Sequence, residues 1–129
     1  MTVNKHVGWF TGHGIDVFII NWNGPYGYQD ATVKNYFLRA DLVKRGDVKF
    51  AILYETIWQL KDSNLGWNLS DFENIKILDN DFSYLSQNYF YSSSYYKIND
   101  KPVLYIYEGK GIFENISKIK TLKERYNLF

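Results

Sequence analysis

Residues 14–30 read GIDVFIINWNGPYGYQD and join a predicted strand, a rigid turn and a predicted helix start. The apolar run ends abruptly in an Asn-Trp-Asn triplet, and a Gly-Pro-Tyr-Gly turn follows. Asp30 then stands where a helix N-cap is expected. Trp22, between two amides at the end of a buried strand, suggests either a core residue or a residue that contacts a ligand.

Two further apolar runs resemble this strand and set the fold class. The predicted strands are Asp16 to Asn21, Val48 to Tyr54 and Pro102 to Tyr107. None of them alternates cleanly between apolar and polar residues, so we expect each to be covered on both faces. That pattern is typical of a parallel sheet and predicts an α/β fold.

Helical periods separate the predicted strands. The first begins at Asp30 and ends before Gly46, a suitable C′ glycine; the second begins at Ser70 or Asp71; the third continues to Tyr126. Their apolar positions are Val33, Tyr36, Phe37, Ala40 and Val43; Ile75, Leu78, Phe82, Leu85 and Tyr89; and Phe113, Ile116, Ile119, Leu122 and Tyr126. The predicted order is β-α-β-α-β-α after an earlier helix, and right-handed crossovers make neighbouring strands parallel.

Composition narrows the functional classes. The chain has 129 residues, enough for one domain, and its net charge of +1 gives no reason to expect a nucleic-acid or membrane partner. No cysteine is present, and no apolar run approaches the ~18 residues of a membrane span. The start does not resemble a signal peptide, so a cytoplasmic location is the default expectation. We expect no cofactor.

Aromatic residues are abundant: 12 Tyr, 9 Phe and 4 Trp make 19% of the chain. Too many of them lie in loops for core packing to account for all, and two long connections carry several. Glu55 to Leu69, with Trp58 and Trp67, is expected at the carboxyl edge of the sheet. Tyr91 to Lys101 is expected at the opposite edge, with a turn at its Asn-Asp pair.

Polar or aromatic residues follow each predicted strand at the carboxyl edge, where α/β folds bind ligands. We predict a carbohydrate site formed by Trp22, Asn23, Tyr54, Glu55 and Glu108. Aromatic rings stack on sugar C–H surfaces, while amides and carboxylates bind hydroxyls. Strands lie about 4.8 Å apart, so the two glutamates could approach one ligand, as the carboxylates of a glycosidase do.

Ordinary structural roles are the alternative for these residues. Trp22 would then fill the core, and the two glutamates would be solvated or cap helices. His6 and His13 have no carboxylate at ligand spacing, so we expect no metal site.

Three stretches resemble the endo-alpha-mannosidase-like glycoside hydrolases (glycoside hydrolase family 99) and the WbsX-like bacterial glycan proteins. They are residues 14–30, VKFAILYE at Val48 to Glu55, and FSYLSQNYFYSSSYYKINDKPVLYIYEG at Phe82 to Gly109, where Asp100 replaces the usual glycine. The likeness covers about residues 6–110.

The resemblance implies a (β/α)8 barrel of about 250 residues, of which this chain would supply about three strands. Its catalytic carboxylates lie in an Asn-Glu-Trp-x-Glu motif that this sequence lacks. By the same likeness, Trp22 and Glu55 match substrate-cleft positions and Glu108 matches a variable one.

We therefore expect a partial barrel, with helices flanking three parallel strands, that associates with copies of itself or with the remainder of the barrel. A small flavodoxin-like sandwich is the alternative fold. The expected function is hydrolysis of a glycosidic bond in a glycan or polysaccharide, with the catalytic half apparently missing. The alternatives are a non-catalytic sugar-binding or assembly module and an inactive fragment.

Overall fold

The computed structural model describes residues 2–56, Leu60, 72–107 and 116–129. Helices and strands alternate along most of this part of the chain. The elements are α1 (Thr2–Gly12), β1 (Val17–Trp22), α2 (Tyr28–Thr32), α3 (Asp41–Lys44), β2 (Lys49–Glu55), α4 (Phe72–Leu85), β3 (Lys97–Ile98), β4 (Lys101–Pro102), β5 (Leu104–Tyr107) and α5 (Ile116–Arg125).

Strands β1, β2 and β5 lie side by side in that order and are parallel throughout, as predicted. Trp22 pairs with Tyr54, which pairs in turn with Ile106. The predicted strand bounds hold to within a residue or two, except that the third run divides into β4 and β5. Because all three strands point the same way, their carboxyl ends meet at one edge.

The described helices pack on one face of the sheet. Phe18 of β1 contacts Phe37 just after α2, and Tyr54 of β2 contacts Phe82 of α4, with ring centroids 5.6 and 5.7 Å apart. Phe82 in turn meets Tyr126, which follows α5, at 6.0 Å. These helices and the sheet enclose the main core.

The expectation that every strand is covered on both faces holds for β2, whose Ala51 and Glu55 are buried, and is wrong for β1 and β5. No described helix lies on the sheet face opposite α4, here called the uncovered face. On it, Ile19 is 54% exposed, Tyr105 40% and Tyr107 45%. The strands lacked an apolar-polar alternation because this face is also largely apolar, which sequence alone cannot distinguish from burial.

The core has a main and a smaller cluster of buried apolar residues. The main cluster lies between the sheet and α4 and consists of Trp22, Val33, Phe50, Ile52, Tyr54, Leu60, Leu78, Phe82, Leu85, Tyr89, Phe90, Tyr95, Leu122 and Leu128. The smaller one joins α1 and α3 through Val7, Ala40, Val43 and Val48. Because the main cluster draws on strands and helices that are distant in sequence, its burial holds the fold together.

The first predicted helix is interrupted. Helix α2 widens into a π-helical turn, Val33–Phe37, and the chain then bends before α3 begins at Asp41. Asp30 is not the N-cap; Gly27 occupies that position, and the Asp30 side chain turns inward instead. Gly46 has φ +78°, which confirms the predicted C′ glycine.

Helix α4 confirms the second predicted period, with buried Leu78, Phe82 and Leu85, and a π-helical turn extends it from Ser86 to Phe90. Its predicted cap, Ser70 or Asp71, lies outside the described residues. Helix α5 confirms the third period, although Phe113 also lies outside them.

The connection from Tyr91 to Lys101 is an ordered part of the sheet edge. Strands β3 and β4 form a hairpin around Asn99 and Asp100, whose φ angles of 51° and 62° confirm the predicted turn. The Tyr95 hydroxyl accepts from the backbone N–H of Ile52 and donates to the carbonyl of Val103. It thereby joins β2 to the start of β5.

Candidate functional site

Trp22, the last residue of β1, is completely buried on the helix-covered face. Its indole lies between Tyr54, at 5.8 Å, and Tyr84, at 6.0 Å between ring centroids. Its Nε1–H donates to Oδ1 of Asp30 at 3.1 Å. The expectation that Trp22 lines the mouth of a cleft is therefore wrong for this arrangement, because no ring face is open to a ligand. The core alternative describes it.

Asp30 collects hydrogen-bond donors that are far apart in sequence. Besides Trp22, the hydroxyls of Tyr84 and Tyr89 donate to its carboxylate at 2.6 and 2.5 Å, and the backbone N–H of Tyr26 does so at 3.3 Å. The Gly-Pro turn thus reverses the chain direction, so that Asp30 of α2 accepts a hydrogen bond from Trp22 of β1.

The surroundings of Asp30 make it a structural anion rather than a reactive one. Burial raises its pKa, but the hydrogen bonds from Tyr84, Tyr89 and Trp22, with the Lys34 ammonium 3.8 Å away, outweigh burial and lower it. A carboxylate has about four lone-pair sites, and these donors occupy them. No acceptor site remains for a ligand.

Tyr54 also faces the helices. It is fully buried, and its hydroxyl donates to Oδ2 of Asp81 on α4 at 2.7 Å. Burial raises the pKa of Asp81 to about 6, although the bond from Tyr54 acts in the other direction. As placed, this buried pair lies on the side of the sheet away from Glu55.

Glu55 ends β2 on the uncovered face and is only 9% exposed. Its Oε1 is buried and has no hydrogen-bond partner among the described residues. Glu55 pairs in register with Tyr107, whose carbonyl accepts from the hydroxyl of Thr56 at 2.7 Å. A desolvated carboxylate oxygen without a donor is costly, so this position favours a donor that the described residues do not supply.

Two amides and a tyrosine stand near Glu55 on the same face. Asn21 and Tyr107 are exposed and Asn23 is partly exposed, and the Asn21 amide donates to Asn23 Oδ1 at 3.2 Å. Since side chains alternate along a strand, Asn21 and Glu55 share a face. We call Asn21, Asn23, Glu55 and Tyr107 the rim.

Of the five predicted site residues, the structure brings Asn23 and Glu55 to the rim and sends Trp22 and Tyr54 to the core. Glu108 lies outside the described residues, as do the tryptophans of the following loop. The prediction missed Tyr107. The alternation of side chains along a strand was the signal that could have sorted these residues, because it places Trp22 and its two asparagine neighbours on opposite faces.

The acidic residues, histidines and helices of the described part of the chain bear on metal binding and membrane insertion. None of their groups of His, Cys, Asp or Glu has the arrangement of a metal site. His13 Nδ1 instead lies 2.6 Å from the carbonyl of Trp9 at the end of α1. No described helix is both long and apolar enough to cross a bilayer.

Comparison with known proteins gives no family assignment. The chain matches no family model, no curated protein and no solved structure. The resemblance to endo-alpha-mannosidase-like hydrolases therefore stays a prediction that rests on the three stretches of sequence.

Proposed function

We propose that this chain is the sugar-binding part of a carbohydrate-active protein, with Glu55 as its principal ligand contact. The observation that carries the proposal is the buried Glu55 carboxylate oxygen that lacks a donor among the described residues, at the carboxyl edge of a parallel sheet. Open α/β sheets and barrels bind ligands at this edge. A sugar hydroxyl would supply the missing donor.

The chemistry of the rim suits a polyol. Glu55 accepts hydrogen bonds, Asn21 and Asn23 both accept and donate, and Tyr107 offers an exposed ring as well as a hydroxyl. No described Lys or Arg belongs to the rim, so the described residues offer a phosphate no counter-charge there. A neutral carbohydrate is the better match.

The arrangement of helices supports a partial barrel as the finer description of the fold. Barrel strands follow one another in chain order, with helices outside and the other sheet face turned to the interior. Strands β1, β2 and β5 have this order, and their uncovered face carries the rim. In this proposal, the rim corresponds to the mouth of the complete barrel.

Hydrolysis would require more than the rim provides. A glycosidase needs two carboxyl groups about 5–10 Å apart, and Glu55 is the only carboxylate of the rim as defined from the described residues. We assign Glu55 to substrate binding, with hydrolysis of a glycan as the activity of the complete barrel. A non-catalytic sugar-binding module is the second candidate, favoured by this single carboxylate.

A glycan array that includes α-mannans tests binding by the intact chain. The Glu55→Gln variant keeps the shape of the side chain but removes its charge, so binding should fall about tenfold or more. Glu124→Gln is the matched control, because Glu124 is exposed on α5. Equal binding by Glu55→Gln and the unaltered chain would contradict the proposal.

Release of reducing sugar from each bound glycan separates the two candidates. Binding with release supports a hydrolase, whereas binding without release supports a sugar-binding module. Absence of binding to every glycan on the array would contradict both candidates.

A further inference from the structure

The loop between β1 and α2 holds a tyrosine in an unfavourable backbone conformation. Tyr26 has φ 64°, in the left-handed region where a side chain is strained and glycine is favoured. Glycines flank it at positions 24 and 27, so the sequence uses glycine freely in this loop. A tyrosine at the strained position therefore needs a reason other than the path of the chain.

Packing supplies little of that reason. Tyr26 is 85% exposed, and its ring meets Tyr84 only edge-on, with centroids 5.3 Å apart. So exposed a ring removes little apolar surface from water, and its one edge-on contact offsets only part of the backbone strain. Strained residues that persist under such conditions cluster at binding sites.

The backbone under the exposed ring is fixed. The Tyr26 N–H donates to Asp30, and Asp30 is held by Trp22, Tyr84 and Tyr89. A ring presented from a fixed backbone loses less conformational entropy when a ligand binds to it. The buried network thus prepares Tyr26 for contact with a ligand.

We infer that Tyr26 is a second carbohydrate subsite, which stacks on a sugar ring of the chain bound at the rim. Tyr28, 83% exposed at the start of α2, offers a neighbouring ring. This inference rests on the proposed function and narrows its substrate class to oligosaccharides.

The two positions lie on opposite sides of β1. The Tyr26 ring packs edge-on against Tyr84, which stacks on Trp22 of the helix-covered face. Asn21 and Glu55 belong to the uncovered face. Tyr26 and the rim both lie at the carboxyl edge of the sheet. One sugar ring cannot contact both sides of a strand, so a ligand that uses both is a chain of several sugars.

Calorimetric titration with methyl α-mannoside and with linear α-mannotetraose tests this subsite. Tyr26→Gly should weaken binding of the tetrasaccharide about tenfold and leave that of the monosaccharide unchanged. Tyr26→Trp should retain tetrasaccharide binding, because indole also stacks on sugars. Tyr91→Gly is the control, since Tyr91 is a 72% exposed tyrosine outside this loop.

Thermal unfolding checks that the ring acts on the ligand rather than on the fold. Tyr26→Gly should unfold at the same or a higher temperature than the unaltered chain, because glycine relieves the strain. A lower unfolding temperature, or undiminished tetrasaccharide binding by this variant, would overturn the inference.

Glu55→Gln separates this inference from the proposed function. Loss of tetrasaccharide binding in Glu55→Gln but not in Tyr26→Gly overturns the second subsite alone. Absence of binding of either mannoside by the unaltered chain overturns the inference in its α-mannoside form, and the array result then decides the proposed function.

Discussion

Asp30 ties one strand to two helices through a single carboxylate. Replacing Asp30 by alanine leaves the hydrogen-bond donors of Trp22, Tyr84 and Tyr89 without their acceptor in the core. We expect Asp30→Ala to lower the free energy of unfolding by about 3 kcal/mol or more, measured by urea denaturation. Asp47→Ala is the control and should change it by less than about 1 kcal/mol, because the Asp47 ion pair with Arg45 is exposed. Equal effects would contradict the role of Asp30.

The lowered pKa of Asp30 fixes the direction of its pH dependence. Its stabilisation is fully present above the unfolded-state pKa of about 3.9 and is lost as pH falls through the lower folded-state pKa. Acid titration of the unfolding free energy should therefore be flatter on the acid side in Asp30→Asn than in the unaltered chain. Parallel titration curves would contradict this prediction.

Asp81 has the opposite dependence. Its folded-state pKa of about 6 lies above the unfolded value, so its contribution is fully present below about pH 3.9 and is lost as pH rises through 6. Asp81→Asn, which can still accept from Tyr54, should raise the unfolding free energy by about 1–3 kcal/mol near pH 8. Near pH 4 the variant and the unaltered chain should agree to within about 1 kcal/mol. A gain of equal size at both pH values would point to packing instead of titration.

Sequence alone could not decide the position of Trp22. A tryptophan after an apolar run fits a core as well as a ligand platform, and the deciding partner, Asp30, stands eight positions away behind a turn. The asparagines on either side of Trp22 were predictable as polar edge residues. The two-residue period of a strand separates them from Trp22, but which of the two faces is open depends on which face the helices cover.

Among the elements, the β3–β4 hairpin permits a stabilising change. Asp100 has φ 62°, and an Asn-Gly pair suits a two-residue turn in which both central residues have positive φ. Asp100→Gly should raise the free energy of unfolding by about 0.5–1 kcal/mol, measured by urea denaturation. Asp100→Ala, without a left-handed preference, should lower it. A loss of stability in the glycine variant would contradict this reading of the turn.

Element types were predictable because hydrophobic periodicity is local. Leu78, Phe82 and Leu85 repeat at helical spacing, and they form one side of the core as predicted. The break between α2 and α3 was not predictable, because Val33, Tyr36 and Ala40 also continue that spacing. Phe37 of the π-helical turn packs on Phe18 of β1, and Val43 of α3 packs with Val7 of α1, contacts that periodicity alone does not reveal.

For the whole molecule, the uncovered sheet face predicts association. Ile19, Tyr105 and Tyr107 expose apolar surface, and such surfaces mark contacts with other chains or ligands. The isolated chain should bind an apolar dye and form larger species in sedimentation velocity. Ile19→Lys should reduce both signals, whereas Tyr91→Lys, outside this face, should leave them unchanged. A monomer that binds no dye would contradict the prediction.

The coverage of this face was the main feature that sequence could not give. Apolar strand residues such as Ile19 and Leu53 suit a helix-covered face, a barrel interior or an interface equally well. Only the positions of all the helices can distinguish a one-sided sheet from the two-sided flavodoxin-like alternative. The three parallel strands, their direction and their order followed from the alternation of apolar runs with helical periods, whereas the β3–β4 hairpin did not.

The convergence of donors on Asp30 also constrains how the sequence can evolve. Loss of Asp30 would leave the donors of Trp22, Tyr84 and Tyr89 without an acceptor. Loss of any one donor would leave the buried carboxylate with one hydrogen bond fewer. In homologous chains these four positions should therefore co-vary, exchanging together for an apolar set or remaining together.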